Sequence, residues 1–184
     1  MNSLRVSVEK IKENEVALDI AETAESFPAL EELIQRAECR FVGSITGRIR
    51  IYFANGFFEV EGQVAARVLL PCSRCLQEVE TPLRADISAT FASELPLIEG
   101  GESDEVELTA EDMGLLPVEG DEIDLREVIQ EQIIMELPLR PLCGTDCRGI
   151  CPFCGANLND GDCGCRAPVF NNKFAALKDF RAEK

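Results

Sequence analysis

Apolar and polar residues alternate along three consecutive stretches of the chain, 41–53, 58–70 and 79–91. A period of two is typical of a β-strand with one buried face. Between the first two stretches, Asn55-Gly56 suits the positive φ angles of a tight hairpin turn. Arg and Glu at the polar positions can face each other across the strands and support the pairing modestly. The pattern therefore predicts an antiparallel β meander or a small, partly open barrel.

Two shorter alternating runs precede the meander and predict two more strands. Their apolar positions are Leu4, Val6 and Val8 in the first run, and Val16, Leu18 and Ile20 in the second. The stretch 26–38 follows and has the apolar spacing of a helix, with Ser26 as its expected N-cap and Pro28 in its first turn.

A second helix is predicted over 124–137, because apolar residues recur on one face. Asp124 and Glu127 have the spacing of a capping box, and Pro138 ends the pattern. This helix can cover the open face of the meander. A strand or turn at 105–113 and a small helix at 171–180 are further expectations.

The predicted fold class is α+β: an antiparallel sheet covered by one or two helices, followed by a cysteine-rich, zinc-ribbon-like segment. We expect two domains. Residues 1–140 form the sheet domain, with an acidic loop at 94–122 and the helix at 124–137. Residues 141–184 form a zinc-binding tail.

The net charge of −16 is concentrated in one part of the chain. Residues 85–125 contain 13 of the 34 acidic residues and no Lys or Arg. This composition argues against non-specific binding of nucleic acid, which depends on basic side chains at the phosphates. It favours a basic partner protein, although a solvated acidic loop explains it equally well.

The chain lacks an apolar run long enough to span a membrane, and its start lacks the apolar stretch of a secretory signal. No membrane association is therefore expected, and the expected location is the cytoplasm. Disulfides are rare in that reducing compartment. The clustered cysteines among the nine are thus expected to bind metal or to perform redox chemistry.

Eight of the cysteines occur in pairs, and the chain contains no histidine to complete a zinc site. Cys151 and Cys154 belong to a C-P-x-C-G knuckle, a strong zinc pattern, whereas the C-x-C pair that follows is a weaker one. The predicted cofactor is Zn²⁺ in one or two structural sites. The first proposed set is Cys72, Cys75, Cys143 and Cys147; the second is Cys151, Cys154, Cys163 and Cys165.

Other assignments of the cysteines stay open at this point. Cys143 and Cys147 can instead share one site with Cys151 and Cys154. Four thiolates also suit an iron–sulfur cluster, and Cys72 with Cys75 has the spacing of a redox dithiol. Cys39 is interpreted as an ordinary buried thiol.

Three segments carry a resemblance to a known family: "LPCSRCLQEVETPL" (70–83), "IDLREVIQEQIIMELPLRPLC" (123–143) and "DCRGICPFCGANLNDGDCGC" (146–165). In this order they resemble the YceD family, the large ribosomal RNA subunit accumulation proteins. The resemblance covers roughly residues 40–180. It implies a bacterial or organellar protein needed for 23S rRNA to accumulate, and hence for assembly of the large ribosomal subunit. It also implies no enzymatic activity, and a link to a small, basic, zinc-binding ribosomal protein.

The residues themselves point to no catalytic machinery. Histidine is absent, no glycine-rich phosphate-binding loop is present, and the clustered carboxylates lack an apolar surround to tune them. No catalytic residue and no small-molecule substrate are therefore assigned. The leading hypothesis is a ribosome biogenesis factor that binds a basic large-subunit ribosomal protein or the 23S rRNA precursor. The alternative is a zinc-ribbon module that binds rRNA directly and stacks a base on Phe153.

Overall fold

The computed structural model describes residues 4–93 and 114–165. Eight strands and three α-helices lie in these two ranges, together with a 3₁₀ turn at Ala24–Ser26. Their order is β1 (Arg5–Ser7), α1 (Val8–Glu13), β2 (Val16–Glu22), α2 (Pro28–Gln35), β3 (Arg40–Phe41), β4 (Ile45–Ala54), β5 (Phe57–Pro71), β6 (Glu78–Ala92), β7 (Leu115–Pro117), β8 (Glu122–Asp124) and α3 (Arg126–Met135).

The predicted meander is confirmed as the centre of the main sheet, whose strand order is β2-β4-β5-β6-β7. β4 and β5 form the expected hairpin, with positive φ angles at Asn55 and Gly56. The pairing of β5 with β6 extends from Phe58 opposite Phe91 to Pro71 opposite Glu78. The short β7 joins β6 in parallel, and β1 pairs with β8 in a separate two-stranded sheet.

The main sheet is a curled half-barrel, and two of its glycines lie where β4 and β5 approach each other closely. Gly47 on β4 lies beside Val64, and Gly62 on β5 lies beside Ile49. A Cβ atom at Gly47 would come within 2.2 Å of the Gln63 carbonyl oxygen, and one at Gly62 within 2.3 Å of the Arg48 carbonyl oxygen. Such contacts with backbone are impossible, so only glycine fits at these two close approaches.

The helices cover the apolar face of the curled sheet. α3 packs against β6 and α1 packs against β4, while α2 touches α3. The backbone N–H of Ala29 donates to Oε1 of Gln130 over 2.9 Å and ties α2 to α3. The largest fully buried side chains of the core are Phe27, Phe58, Ile11, Leu30, Ile45, Ile49, Ile51, Ile123, Leu125, Ile129 and Ile133.

The opposite face of the sheet is polar and carries the charge pairs expected from the sequence. Arg50 lies opposite Glu61 in the strand register, with 3.0 Å between Nη2 and Oε2. Arg48 lies opposite Asp19, with 2.8 Å between Nε and Oδ1. These pairs are exposed, so each adds little stability.

Near the N-terminus the second predicted strand is confirmed as β2. The first predicted strand ends at Ser7, so its predicted extension to Val8 is wrong. Val8 begins α1 instead of continuing β1. The apolar spacing explains the change, since Val8 and Ile11 are three residues apart and lie on one side of a helix. Ile11 is buried in the core.

Both long predicted helices are confirmed, but their starts differ from the prediction. Phe27 rather than Ser26 is the N-cap of α2, and Leu125 rather than Asp124 is the N-cap of α3. Asp124 ends β8, where its carboxylate accepts hydrogen bonds from Arg5 and Arg126. The capping box is therefore wrong.

Part of the predicted acidic loop is ordered as strand, because β7 and β8 fall within 114–124. The expected strand or turn at 105–113 and the expected helix at 171–180 lie outside the described residues. None of the helices between residues 4 and 93 or 114 and 165 is long and apolar enough to cross a membrane.

Candidate metal centre

The first set of cysteines joins two distant parts of the chain. Cys72 and Cys75 lie in the turn between β5 and β6, and Cys143 and Cys147 follow α3. The backbone N–H of Ser73 donates to the Pro141 carbonyl over 2.8 Å and holds the second segment against the turn. The four Sγ atoms of this first quartet all lie within 4.8 Å of one another.

The spacing of these sulfurs fits a metal and not a disulfide. The Sγ atoms of Cys72 and Cys147 are 3.8 Å apart, and those of Cys75 and Cys143 are 3.5 Å apart. A disulfide needs about 2.05 Å. A tetrahedral zinc–thiolate site with bonds of about 2.3 Å separates its sulfurs by about 3.8 Å. The first quartet therefore has the dimensions of a four-thiolate metal site.

Backbone N–H groups converge on the sulfur of Cys72, which is fully buried. The N–H of Cys143 lies 3.4 Å from this sulfur and that of Arg74 lies 3.5 Å from it. The backbone N–H of Cys75, the largest influence, acts with those of Arg74 and Cys143 to lower the pKa of Cys72 to about 6. Donors placed in this way favour the thiolate, which is the form that binds metal.

Cys143 shows the opposite effect, because its neighbours are other sulfurs. The side chains of Cys147 and Cys75 raise the pKa of the exposed Cys143 to about 12. Four thiols packed this closely cannot all ionise without a balancing positive charge. A divalent cation would supply that charge.

The second quartet consists of Cys151, Cys154, Cys163 and Cys165, whose Sγ atoms also lie within 4.8 Å of one another. The knuckle is formed by local hydrogen bonds: Gly155, with a φ of 73°, donates to the Cys151 carbonyl over 2.9 Å. The backbone N–H groups of Cys154 and Phe153 lower the pKa of Cys151 to about 7. The neighbouring thiols of Cys154 and Cys163 raise the pKa of Cys165 to about 12.

The two quartets have the same members as the two sets expected from the sequence, and the alternative that combines Cys143 and Cys147 with Cys151 and Cys154 is not the observed grouping. That these cysteines ligate metal stays a prediction. Cys39 lies apart from both quartets and is buried in the hydrophobic core, where burial raises the pKa of its thiol.

Asn159 connects the quartets, a role that no pattern in the sequence indicates. It lies in the loop between Cys154 and Cys163, yet its Nδ2 atom donates to Sγ of Cys147 over 3.4 Å. Its Oδ1 atom accepts the backbone N–H of Arg148 over 2.8 Å. Asn157 also accepts from the Asn159 side chain over 2.9 Å. The loop of the second quartet thus supports a sulfur of the first.

Arg74 is a second supporting residue that sequence reasoning missed. Its guanidinium donates to the Cys147 carbonyl over 2.9 Å, and its own carbonyl accepts the N–H of Ile150 over 3.1 Å. A residue between two cysteines of one pair therefore holds the segment that leads to the other quartet.

These features define an α+β protein in which a curled antiparallel sheet carries two clusters of four cysteines that can hold metal ions. The chain belongs to the YceD family: the family model described as "Large ribosomal RNA subunit accumulation protein YceD" matches residues 60–181. The match includes all eight paired cysteines, so the family resemblance expected from the sequence is confirmed.

Curated relatives come from bacteria and from plants. An uncharacterized protein of Mycobacterium tuberculosis is 34% identical over 100 residues, which cover 54% of this chain and 44% of that protein. The "Large ribosomal RNA subunit accumulation protein YCED homolog 1, chloroplastic" of Arabidopsis thaliana is 26% identical over 145 residues, covering 67% of this chain and 44% of its own length. Its namesake in Zea mays is 26% identical over 133 residues, covering 61% of this chain and 45% of its own length.

The chain thus spans less than half the length of each of these relatives. No solved structure matches it.

Proposed function

We propose that this protein is a non-enzymatic ribosome biogenesis factor that promotes accumulation of the large-subunit 23S rRNA. The family description and the names of the plant relatives carry this proposal, since both refer to accumulation of large-subunit rRNA. The protein would act in the bacterial cytoplasm, or in the equivalent compartment of an organelle. Its partner would be a basic large-subunit ribosomal protein or the 23S rRNA precursor.

In this proposal each cysteine quartet holds one structural Zn²⁺. The observation that supports zinc binding is the sulfur spacing of 3.5–3.8 Å in the first quartet, together with N–H donors aimed at the sulfurs. All four ligands in each set are thiolates, and a closed set of four protein ligands is typical of structural zinc. The first ion would fasten the segment after α3 to the β5–β6 turn. The second would fold the loop that carries Asn159.

A catalytic role is not proposed, because the candidate ligands leave no open position at either metal. The redox alternative also lacks support. Cys72 and Cys75 lie in a strand connection rather than at the start of a helix, where redox dithiols obtain their low pKa from the helix N-terminus. The Cys72 thiolate is instead stabilised by local N–H groups and surrounded by three other cysteines.

Deletion of the gene in the source organism tests the proposed function. We expect the ratio of large-subunit to small-subunit rRNA to fall, with a matching loss of complete large subunits on sucrose gradients. Complementation with the intact gene restores both, whereas a form with Ser at Cys72 and Cys147 does not. An unchanged rRNA ratio in the deletion strain contradicts the proposal.

Direct binding of rRNA by the cysteine-rich segment is the second candidate. It is supported by Phe153, whose exposed ring lies between the first two cysteines of the second quartet and is available for stacking on a base. Binding of protein-free 23S rRNA by the metal-loaded protein at physiological salt would favour this candidate over a protein partner.

A further inference from the structure

We propose that the apolar side chains around the two cysteine quartets form a docking surface for a basic protein segment that also carries apolar side chains. Seven large apolar side chains are exposed among residues 4–93 and 114–165. Four of them lie next to a cysteine of a quartet or within a knuckle: Leu76, Leu142, Ile150 and Phe153. We call these four the apolar rim. The proposal rests on the proposed function, because it requires the quartets to hold metal.

Hydrogen bonds bring most of the apolar rim to one junction. Ser73 donates to the Pro141 carbonyl over 2.8 Å, and Ile150 donates to the Arg74 carbonyl over 3.1 Å. The segments that carry Leu76, Leu142 and Ile150 therefore lie side by side. The outer face of the sheet differs, since charge pairs such as Arg50 with Glu61 cover it. Grouped exposed apolar residues mark interaction surfaces more often than scattered ones do.

Leu76 is the most informative member of the apolar rim. Its φ is 63°, a left-handed conformation that Gly and Asn adopt more readily than a branched side chain does. Its side chain is also 63% exposed. Neither backbone preference nor packing therefore explains leucine at this position. The turn itself sets the φ, since the Leu76 N–H donates to the Cys72 carbonyl over 2.9 Å as the N–H of Gly155 does to the Cys151 carbonyl. A contact with a partner explains why an exposed leucine occupies a position that suits glycine.

Charge identifies the chemistry of the partner. Four thiolates around one divalent ion keep a net charge of about −2, so two loaded quartets make this region anionic. Among residues 72–77 and 139–165, Arg74, Arg140 and Arg148 are matched in number by three acidic residues, Asp146, Asp160 and Asp162. The thiolate charge is therefore not offset. Such a surface repels phosphate and attracts Lys and Arg, which favours a protein segment over RNA.

Binding measurements on the metal-loaded chain test the surface. The probes are the large-subunit ribosomal proteins of the source organism, purified one by one, and its protein-free 23S rRNA. We expect one or more basic proteins to bind, with an affinity that falls as salt is raised. A chain with Leu76→Asn and Phe153→Ser is expected to bind at least about tenfold more weakly, because buried apolar anchors dominate interfaces.

Met135→Ser is the matched control, because Met135 is 75% exposed on α3 outside the cysteine segments. It should bind within about twofold of the parent. The single variant Leu76→Asn distinguishes loss of the partner contact from loss of folding, because Asn suits the left-handed turn. This variant should keep two metals per chain and still bind the basic protein more weakly. Unchanged affinity in the double variant overturns the proposal, and so does tighter binding to rRNA than to any ribosomal protein.

Failure of this inference is distinguishable from failure of the proposed function. If deletion of the gene lowers the rRNA ratio while the double variant binds normally, only the docking surface is wrong. If deletion leaves the ratio unchanged, the proposed function itself is wrong.

Discussion

The sheet and the cysteine-rich segment are stabilised in different ways. The core of the sheet is built from large aliphatic and aromatic side chains, and no buried polar or charged residue occurs among the described residues. The buried cluster of the first quartet contains only Cys72, Cys75 and Cys147, with Val79 packed against it. Burial of apolar surface can stabilise the sheet. Residues 141–165 need another source of stability, and the sulfur spacing points to metal.

Removal of metal should affect the two regions unequally, and this is the largest effect we expect. After treatment with a strong chelator, amides in 143–165 should exchange hydrogen at nearly the rate of an unfolded chain, because metal binding supplies the folding free energy of such segments. Amides of β4, β5 and β6 should keep most of their protection. Hydrogen exchange with mass spectrometry measures both, and equal loss of protection in the two regions would contradict the comparison.

Gly62→Ala should damage the sheet without involving the metal. The new Cβ would meet the Arg48 carbonyl and the Ile49 Cα, so the strands must separate, at a cost of roughly 3 kcal/mol. Urea unfolding measures the change in the free energy of unfolding. Gly144→Ala is the control and should change that free energy little, because no atom lies near its Cβ position. Equal stability of the two variants would show that the close approach of β4 and β5 does not require glycine at position 62.

Asn159→Ala should weaken metal binding at the first quartet although Asn159 lies in the loop of the second. Loss of the hydrogen bond to Cys147 removes support from a ligand, and loss of such partners lowers metal affinity about tenfold or more. Titration with Co²⁺, followed by thiolate-to-metal absorption, shows whether one of the two binding steps becomes weaker. The neighbouring Asp160→Ala should leave both affinities unchanged; if it has the same effect as Asn159→Ala, the loss is not specific to this hydrogen bond.

Arg50→Ala should have the smallest effect. The pair with Glu61 is exposed, so its loss should lower the free energy of unfolding by less than about 1 kcal/mol. The loss of stability should become smaller as salt is raised, because salt screens exposed charges. Thermal unfolding of the variant and the parent at low and high salt measures this loss. A large, salt-independent loss would mean that the outer face contributes more to the sheet than its exposure suggests.

The meander could be predicted because its information is local. Alternation of apolar residues and the Asn55-Gly56 turn define β4, β5 and β6 without reference to the rest of the chain. The half-barrel confirms the partly open barrel that was one of the two predicted forms. The close approaches of β4 and β5 at Gly47 and Gly62 could not be predicted, because they depend on contacts between neighbouring strands. The parallel β7 also depends on tertiary contacts that periodicity does not show. At Val8 the sequence is ambiguous, because Val8 continues the alternation of Leu4 and Val6 and also has helical spacing to Ile11.

The cysteine quartets illustrate the same limit. The spacing along the sequence indicated that Cys72 pairs with Cys75 and that Cys151 pairs with Cys154. Only the fold brings the Sγ atom of Cys72 within 3.8 Å of that of Cys147. The supporting residues were not predictable, since Asn159 and Arg74 look like ordinary loop residues in the sequence. Their roles follow from hydrogen bonds between segments that are distant along the chain.

Native mass spectrometry of the purified protein tests the central claim most directly. We predict two zinc ions per chain, falling to one when Cys147 is replaced by Ser and to one when Cys163 is replaced by Ser. A chain that carries no metal, or one that carries iron, would contradict the account of how the cysteine-rich segment is held together.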